Sequence, residues 1–205
     1  MSFFMQLQKF KIAIMKRTDI INEIIEKFNY KSYLEIGVCN PNRNFNKIDV
    51  KIKIGVDPDP SSNANYVMTS DDFFKINKKK FDLIFIDGLH IKNQAIKDIN
   101  NFLKCLNKYG TIVIHDCNPT NEEMQIVPRG TKLWTGDVWK AFVLFRSKYK
   151  NLNMFVIDTD YGVGIIREGN QYLITIPKKL TFENFDIHRK KWLNLIDKSI
   201  YKKYL

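Results

Sequence analysis

Four short apolar runs constrain the fold of this chain more than any other feature of its sequence. They are Tyr33–Val38, Ile52–Asp57, Phe81–Asp87 and Thr111–Asp116, and each has a glycine or an aspartate at or near its end. Apolar residues recur at helical spacing before the first run and between the last two. A run that is apolar throughout is typical of a strand buried on both faces. Strands that alternate with helices predict parallel βαβ units, so we expect a doubly wound, mostly parallel α/β sheet.

After Asp116 the regular alternation of apolar runs and helical segments ends. Residues 117–136 contain prolines, glycines and a tryptophan, which predicts a long loop that is either functional or disordered. Asp137 is expected to cap a helix that runs to Tyr149. Two further apolar runs, Met154–Ile157 and Gly162–Ile166, predict a hairpin that closes the sheet.

Three other segments predict helices. The isoleucines from Ile20 to Ile25 lie at helical spacing, with Thr18 or Asp19 as the expected N-cap. Residues 91–107 have one apolar face, and Asp98 is expected on the solvated side. The tail carries apolar residues at the spacing of a terminal helix: Trp192, Leu195, Ile196 and Ile200.

A chain of 205 residues is long enough for one well-buried domain but short for two. We therefore expect one domain over residues 1–205. Within it we distinguish an N-terminal helical segment (1–29), a core (30–168) and a C-terminal extension (169–205).

The formal net charge of +11 favours an acidic partner, such as nucleic acid, an anionic membrane surface or a phosphorylated or acidic sugar. An AT-rich genome would also enrich Lys, Asn and Ile, so both interpretations remain open. Cys39, Cys105 and Cys117 have no C-x-x-C spacing, which favours reduced thiols and a cytoplasmic location. No apolar run approaches the roughly 20 residues of a membrane span, and no cleavage site follows the apolar start.

Polar groups and a glycine at the ends of the first two runs predict a ligand site. Glu35 and Gly37 end the first run, and Asp57 ends the second. Such a glycine lets backbone approach a ligand, and such a carboxylate accepts hydrogen bonds from ribose hydroxyls. The later glycines of G-x-G-x-x-G are missing from Val38–Asn42, so a pyrophosphate has little to bind. This pattern disfavours an NAD-dependent oxidoreductase and remains compatible with a nucleoside without phosphates.

These motifs carry a family resemblance. Glu35–Gly37 resembles motif I of class I S-adenosylmethionine (SAM) methyltransferases, and Gly55–Asp57 resembles the acidic end of their second strand. Phe81–His90 followed by Gly110–Asp116 is similar to the subgroup of macrocin-type sugar O-methyltransferases. The resemblance implies a seven-stranded Rossmann-like sheet with a C-terminal antiparallel hairpin. It also implies methyl transfer from SAM to a hydroxyl of a sugar or glycan-linked small molecule, as in polysaccharide biosynthesis.

The same resemblance implies roles for individual residues in cofactor binding. Gly37 would lie under the methionine part of SAM and Glu35 near its ammonium group. Asp57 would bind the ribose, and Ser70 with Asp72 would lie on the adenine side.

Asp87, His90, His115 and Asp116 are the candidate catalytic residues, and Asp87 is also expected to contact the cofactor. Asp87 and Asp116 could hold Mg²⁺ through oxygen ligands, as aspartates do in related metal-dependent O-methyltransferases. The position of the usual third ligand is Cys117, and cysteine is a poor ligand for Mg²⁺. His90 or His115 could instead act as the general base.

Two alternatives stay open: a methyltransferase for another small molecule, and a methyltransferase-like binding or scaffold protein with weak turnover. The glycine-poor motif I favours the second. No N-P-P-[YF] motif is present, which disfavours methylation of a nucleobase and a nucleic-acid partner. Trp134 and Trp139 could stack on a sugar or pack in the core, and Arg129 could bind a phosphate or carboxylate or be a surface charge. A homodimer is compatible with the sequence.

Overall fold

The computed structural model describes residues 15–205, and within this range the chain alternates strands and helices as expected. This range contains eight strands: β1 (Ser32–Ile36), β2 (Ile52–Asp57), β3 (Tyr66–Val67), β4 (Phe81–Ile86), β5 (Leu106–Ile114), β6 (Leu152–Ile157), β7 (Val163–Glu168) and β8 (Leu195–Ile196). The α-helices of this range are α1 (Arg17–Phe28), α2 (Ser70–Ile76), α3 (Lys92–Leu103), α4 (Val138–Lys148) and α5 (Phe182–Leu193).

All eight strands of the described range form one sheet, in the order β3-β2-β1-β4-β5-β7-β6-β8. The first five strands are parallel, and β7 pairs antiparallel with both β5 and β6. This arrangement confirms the doubly wound, mostly parallel sheet and the C-terminal hairpin. The turn between β6 and β7 lies at the same edge as the carboxyl ends of the parallel strands, because β6 is antiparallel to β7 and β7 to β5.

The predicted count of seven strands misses β8. Asn194 adopts a left-handed conformation (φ 47°) and ends α5, so the helix does not continue as the spacing of the tail predicts. Leu195 and Ile196 pair in parallel with Val156 and Ile157 of β6 instead. The apolar side chains of this segment therefore belong to the edge strand of the sheet and not to a longer helix.

Alternate residues of the central strands pack into two cores, one on each face of the sheet. Leu83 and Phe85 of β4 face the core that contains α1, whereas Ile84 and Ile86 face the core that contains α3, α4 and α5. All four side chains are buried. Burying a side chain of this kind contributes about 1.5–3 kcal/mol, which explains why these strands are apolar on both faces.

The N-terminal helix begins slightly earlier than predicted. Its N-cap is Lys16, not Thr18 or Asp19, and the Asp19 carboxylate accepts the Lys16 backbone N–H at 2.8 Å from the third helical position. The part of the predicted helical segment that precedes residue 15 lies outside the described residues. None of the helices between residues 15 and 205 combines the length and apolar character needed to cross a bilayer.

Candidate active site

A cavity of about 730 Å³ opens at the carboxyl ends of β1, β2, β4 and β5. This is the edge at which open parallel sheets bind ligands, and the volume is typical of small-molecule sites. The structure brings most of the predicted site residues to this one cavity: Glu35, Gly37, Asp57, Ser70, Asp87, His90, His115 and Asp116.

Gly37 joins the ends of β1 and β4. Its φ is +89°, and a Cβ at this position would lie 2.1 Å from the carbonyl oxygen of Asp87. The Asp87 N–H in turn donates to the Ile36 carbonyl at 2.8 Å. Only glycine permits this backbone approach, so the sequence requirement seen in motif I has a direct steric cause.

Glu35 is buried beneath the cavity, and neutral groups hold its carboxyl in place. The Tyr33 hydroxyl donates to its Oε2 at 2.5 Å and the Asn44 amide donates to the same oxygen at 2.9 Å. Oε1 has no hydrogen-bond partner among residues 15–205. Burial raises the pKa of Glu35 to about 7, because it outweighs these two hydrogen bonds.

Asp57 is oriented by two backbone amides. The Cys39 N–H donates to Oδ2 and the Asp59 N–H donates to Oδ1, both at 2.8 Å. A carboxylate has about four acceptor sites, so each oxygen can still accept a bond from a ligand. Asp57 is therefore a pre-positioned acceptor for a pair of hydroxyl groups.

Ser70 lines the cavity at the start of α2, where its hydroxyl donates to Asp98 at 2.7 Å. Asp98 also accepts a hydrogen bond from Gln94 at 3.0 Å and is only 1% exposed. The expectation of a solvated Asp98 is wrong, because its side chain turns inward to Ser70 in the first turn of α2.

Asp72 does not reach the cavity, although the resemblance places it there. Its carboxylate accepts the Thr69 hydroxyl and pairs with Lys75 on the outside of α2. Asp71, one residue earlier, lines the cavity. Adjacent helical positions point about 100° apart, so the shift of one residue exchanges a cavity residue for a surface residue.

His90 bridges the two candidate catalytic carboxylates. Its Nε2 lies 3.3 Å from Asp87 Oδ1 and its Nδ1 lies 3.0 Å from Asp116 Oδ2. Trp134 stacks on the imidazole with ring centroids 5.3 Å apart. Burial acts to lower the pKa of His90, but the bond to Asp87 and the charges of both carboxylates raise it overall.

His115 lies deeper than His90 and contacts three carboxylates. Its Nδ1 is 3.3 Å from Asp87 and 3.2 Å from Asp116, and its Nε2 is 3.5 Å from Asp160. Burial acts to lower the pKa of His115, yet the negative charges of Asp87 and Asp116 raise it well above the usual range. This shift favours the protonated form of His115 among the three carboxylates.

Sequence reasoning missed Arg17 and Asp160, which complete this cluster. Arg17 Nη1 pairs with Asp160 at 3.0 Å, and its Nε lies 3.7 Å from Asp87. Asp160 could have been found, because it lies in the β6–β7 turn at the carboxyl edge of the sheet. Arg17 gives no such signal, since it is a single basic residue in the first turn of α1.

Asp87, His90 and Asp116 could hold a metal ion, because one ligand atom from each lies within 4.8 Å of the others. Cys117 does not join them. Its side chain is fully buried, and its Sγ faces the Ile114 carbonyl at 3.7 Å. Within the described residues, His90 rather than Cys117 lies beside the two aspartates.

The two candidate aromatic residues near the long loop have different environments. Trp139 is fully buried and packs on Phe185 with centroids 4.2 Å apart, so it belongs to the core. Trp134 and Arg129 line the cavity. Asp137 occupies the N-cap position of α4 as predicted, but its carboxylate accepts the backbone N–H of Lys92 at the start of α3.

Residues 55–117 match a family model described as a methyltransferase domain. The chain has no match among curated protein sequences. The structure of the Podospora anserina methyltransferase PaMTH1 bound to S-adenosylhomocysteine (SAH) is similar, with a TM-score of 0.59, 16% identity and coverage of 75% of this chain and 78% of that chain. The O-methyltransferase TomG from Streptomyces achromogenes, solved with SAM, has a TM-score of 0.55 and 10% identity over 74% of this chain and 78% of its own. These similarities show that the chain has the Rossmann-like methyltransferase fold.

Proposed function

We propose that this protein is a SAM-dependent O-methyltransferase that acts on a hydroxyl of a sugar or glycan-linked small molecule. The observation that carries the proposal is the single cavity, which joins Glu35, Gly37 and Asp57 to the cluster of Asp87, His90 and Asp116. The fold shared with proteins solved with SAH or SAM supports it.

The cofactor end of the cavity fits an adenosyl amino acid. Asp57 accepts the ribose hydroxyls, and the free Oε1 of Glu35 faces the ammonium group. Gly37 lies beneath the methionine part, and Ser70 lies on the adenine side with Asp71 in the place proposed for Asp72. Glycine-poor residues 38–42 are compatible with SAM, because SAM has no phosphate to bind.

Bound SAM supplies an electrophilic methyl group, and the residues of the chain provide positioning and proton transfer. The acceptor hydroxyl enters beside neutral His90, which keeps its Nε2–H on Asp87 and accepts the hydroxyl proton at Nδ1, in place of the contact with Asp116. The new O–CH₃ bond forms as the bond between the methyl group and the sulfonium sulfur breaks, which releases SAH. Asp116 then stabilises the imidazolium that results. His115 and Arg17 balance the remaining negative charge of the cluster.

The same residues fit a divalent cation, given the 4.8 Å limit on the spacing of their ligand atoms. Asp87, His90 and Asp116 would then hold it, and its Lewis acidity would lower the pKa of the acceptor hydroxyl. Arg17 and His115 already supply positive charge to Asp87. We therefore expect activity to persist in EDTA, and complete loss of activity that Mg²⁺ restores would assign the metal role instead.

The sugar acceptor rests on the resemblance of the Asp87–His90 and His115–Asp116 motifs to sugar O-methyltransferases, and a role in polysaccharide biosynthesis would follow. The free thiols of Cys39, Cys105 and Cys117 support a cytoplasmic location. We further propose that residues 1–205 form one methyltransferase domain.

Calorimetric titration with SAH and with NAD⁺ tests the cofactor, and transfer of tritiated methyl groups from SAM to a panel of sugars tests the reaction. We expect SAH to bind and NAD⁺ not to bind. Binding of NAD⁺ alone would contradict the proposal. Binding of SAH without turnover on any hydroxyl compound would favour the scaffold alternative.

A further inference from the structure

We infer that the acceptor carries an oxyanion, a phosphate or a carboxylate, which Arg129 and Lys132 bind at the acceptor end of the cavity. This inference rests on the proposed function and deepens it by naming the chemical class of the acceptor. Both residues line the cavity. They lie on the long loop between β5 and α4.

The sheet order separates these cations from the cofactor end. Asp57 ends β2, and β1 and β4 lie between β2 and β5. At about 4.8 Å per strand, the ends of β2 and β5 are roughly 14 Å apart. Arg43, on the loop after β1, also lines the cavity and is the cation nearer in sequence to the motif I turn. Trp134 of the same loop stacks on His90, and the Arg129 guanidinium lies beside the Trp134 ring, which places these cations near the acceptor end.

The loop holds the Arg129 guanidinium in a defined position. Its Nε donates to the Thr131 carbonyl at 3.0 Å and its Nη2 donates to the Lys132 carbonyl at 2.7 Å. The guanidinium carbon lies 5.9 Å from the Trp134 ring centroid. A guanidinium has five N–H donors, so donors remain for a ligand after these two bonds.

The same loop packs directly on His90, the proposed base. Trp134 stacks on His90, and its indole N–H donates to the Ile126 carbonyl at 2.6 Å. Gly136 has a φ of +58°, and a Cβ there would lie 1.7 Å from the carbonyl oxygen of His90. The position of the Arg129 charge is thus coupled to the position of the proposed base through one ring.

Neither Arg129 nor Lys132 forms an ion pair within residues 15–205, whereas Arg17 and Arg189 are both paired with aspartates. A cation without a protein counter-ion keeps its full charge for a ligand, and guanidinium groups bind phosphate and carboxylate through paired hydrogen bonds. The net charge of +11 would also attract an anionic acceptor to the molecule.

Calorimetric titration of the full chain, with and without SAH, tests the inference. The ligands are glucose 1-phosphate, glucuronate, inorganic pyrophosphate and uncharged glucose. We expect at least one anion to bind more tightly than glucose, and the two sugar anions distinguish a phosphate from a carboxylate. The double variant Arg129→Gln/Lys132→Gln should weaken the binding of that anion at least tenfold and leave the affinity for SAH unchanged.

The matched control is Lys178→Gln/Lys179→Gln, which removes the same charge from exposed positions outside the cavity. It should bind the anion as the unmodified protein does. The inference is overturned if no anion binds the SAH-loaded protein, or if both double variants weaken anion binding equally. It is also overturned if Arg129→Gln/Lys132→Gln weakens SAH binding as much as it weakens anion binding. Failure of SAH itself to bind would instead refute the proposed function.

Discussion

The carboxylates at the two ends of the cavity are held by different kinds of partner. At the cofactor end, Glu35 and Asp57 accept hydrogen bonds from neutral groups: a hydroxyl, a side-chain amide and two backbone amides. At the acceptor end, Asp87 and Asp116 are contacted by two histidines, and Asp87 also by Arg17.

This difference indicates what each end can do. Neutral donors orient a carboxylate without cancelling its charge, so Asp57 remains available for ligand hydroxyls and an ionised Glu35 for an ammonium group. Cationic partners neutralise Asp87 and Asp116 and form a set in which a proton can move. One end is thus suited to binding and the other to chemistry.

The largest effect should come from Asp87→Asn, which removes the charge that His90, His115 and Arg17 share. We expect kcat to fall by about 10²–10⁴-fold, because the proposed base loses the partner that orients it. SAH affinity should fall far less. Single-turnover methyl transfer and SAH titration measure the two separately, and a kcat near that of the unmodified protein would remove Asp87 from the mechanism.

Gly37→Ala should damage both ends, because this residue joins the strands that carry them. The positive φ and the contact with the Asp87 carbonyl predict a loss of at least about 2 kcal/mol in the free energy of unfolding, together with weaker SAH binding. Urea denaturation measures the loss. Gly88→Ala is the matched control, since its Cβ would make only ordinary contacts, with the Ile36 side chain at 3.4 Å and the Ile36 carbonyl oxygen at 4.0 Å. Equal effects of the two variants would contradict the steric argument.

Asp57→Asn should affect the cofactor end alone. We expect SAH affinity to fall by about 10- to 100-fold and kcat at saturating SAM to stay within a few-fold, because hydrogen bonds to a charged group contribute about 1.5–3 kcal/mol. Asp72→Asn, on the outer side of α2, should leave SAH affinity unchanged. A fall in kcat without a change in affinity would show that the two ends are not separable in this way.

The smallest effect concerns the pH dependence set by Glu35, whose pKa is raised from 4.5 to about 7. SAH affinity should increase by up to about tenfold between pH 6 and 8, as Glu35 ionises and can pair with the ammonium group. The raised pKa also means that the folded state binds the proton more tightly. The free energy of unfolding should therefore fall as the pH rises from about 4.5 to 7.

Glu35→Gln should abolish both trends, since its amide oxygen can accept the same bonds from Tyr33 and Asn44 without titrating. SAH titrations and urea denaturation over this pH range provide the measurement. Persistence of either trend in the variant would assign it to another group.

The strands, their parallel order and the residues that end them could be predicted from the sequence. Buried strands require continuous apolar runs, and the glycine at position 37 and the carboxylate at position 57 are local consequences of how such strands end. The separation of Asp71 from Asp72 was beyond sequence reasoning, because it depends on where α2 begins. The burial of Asp98 could not be predicted from the sequence either, since its partners Ser70 and Gln94 lie on different elements.

Local periodicity and chain direction thus established the architecture and the edge at which the cavity opens. The charge balance of the cavity came from long-range packing. Arg17 meets Asp160 across more than half of the chain, and Trp134 meets His90 only after the loop folds back over β4. Such contacts join residues that share no local pattern, because the free energy that brings them together comes from burying α1 and α4 against the sheet.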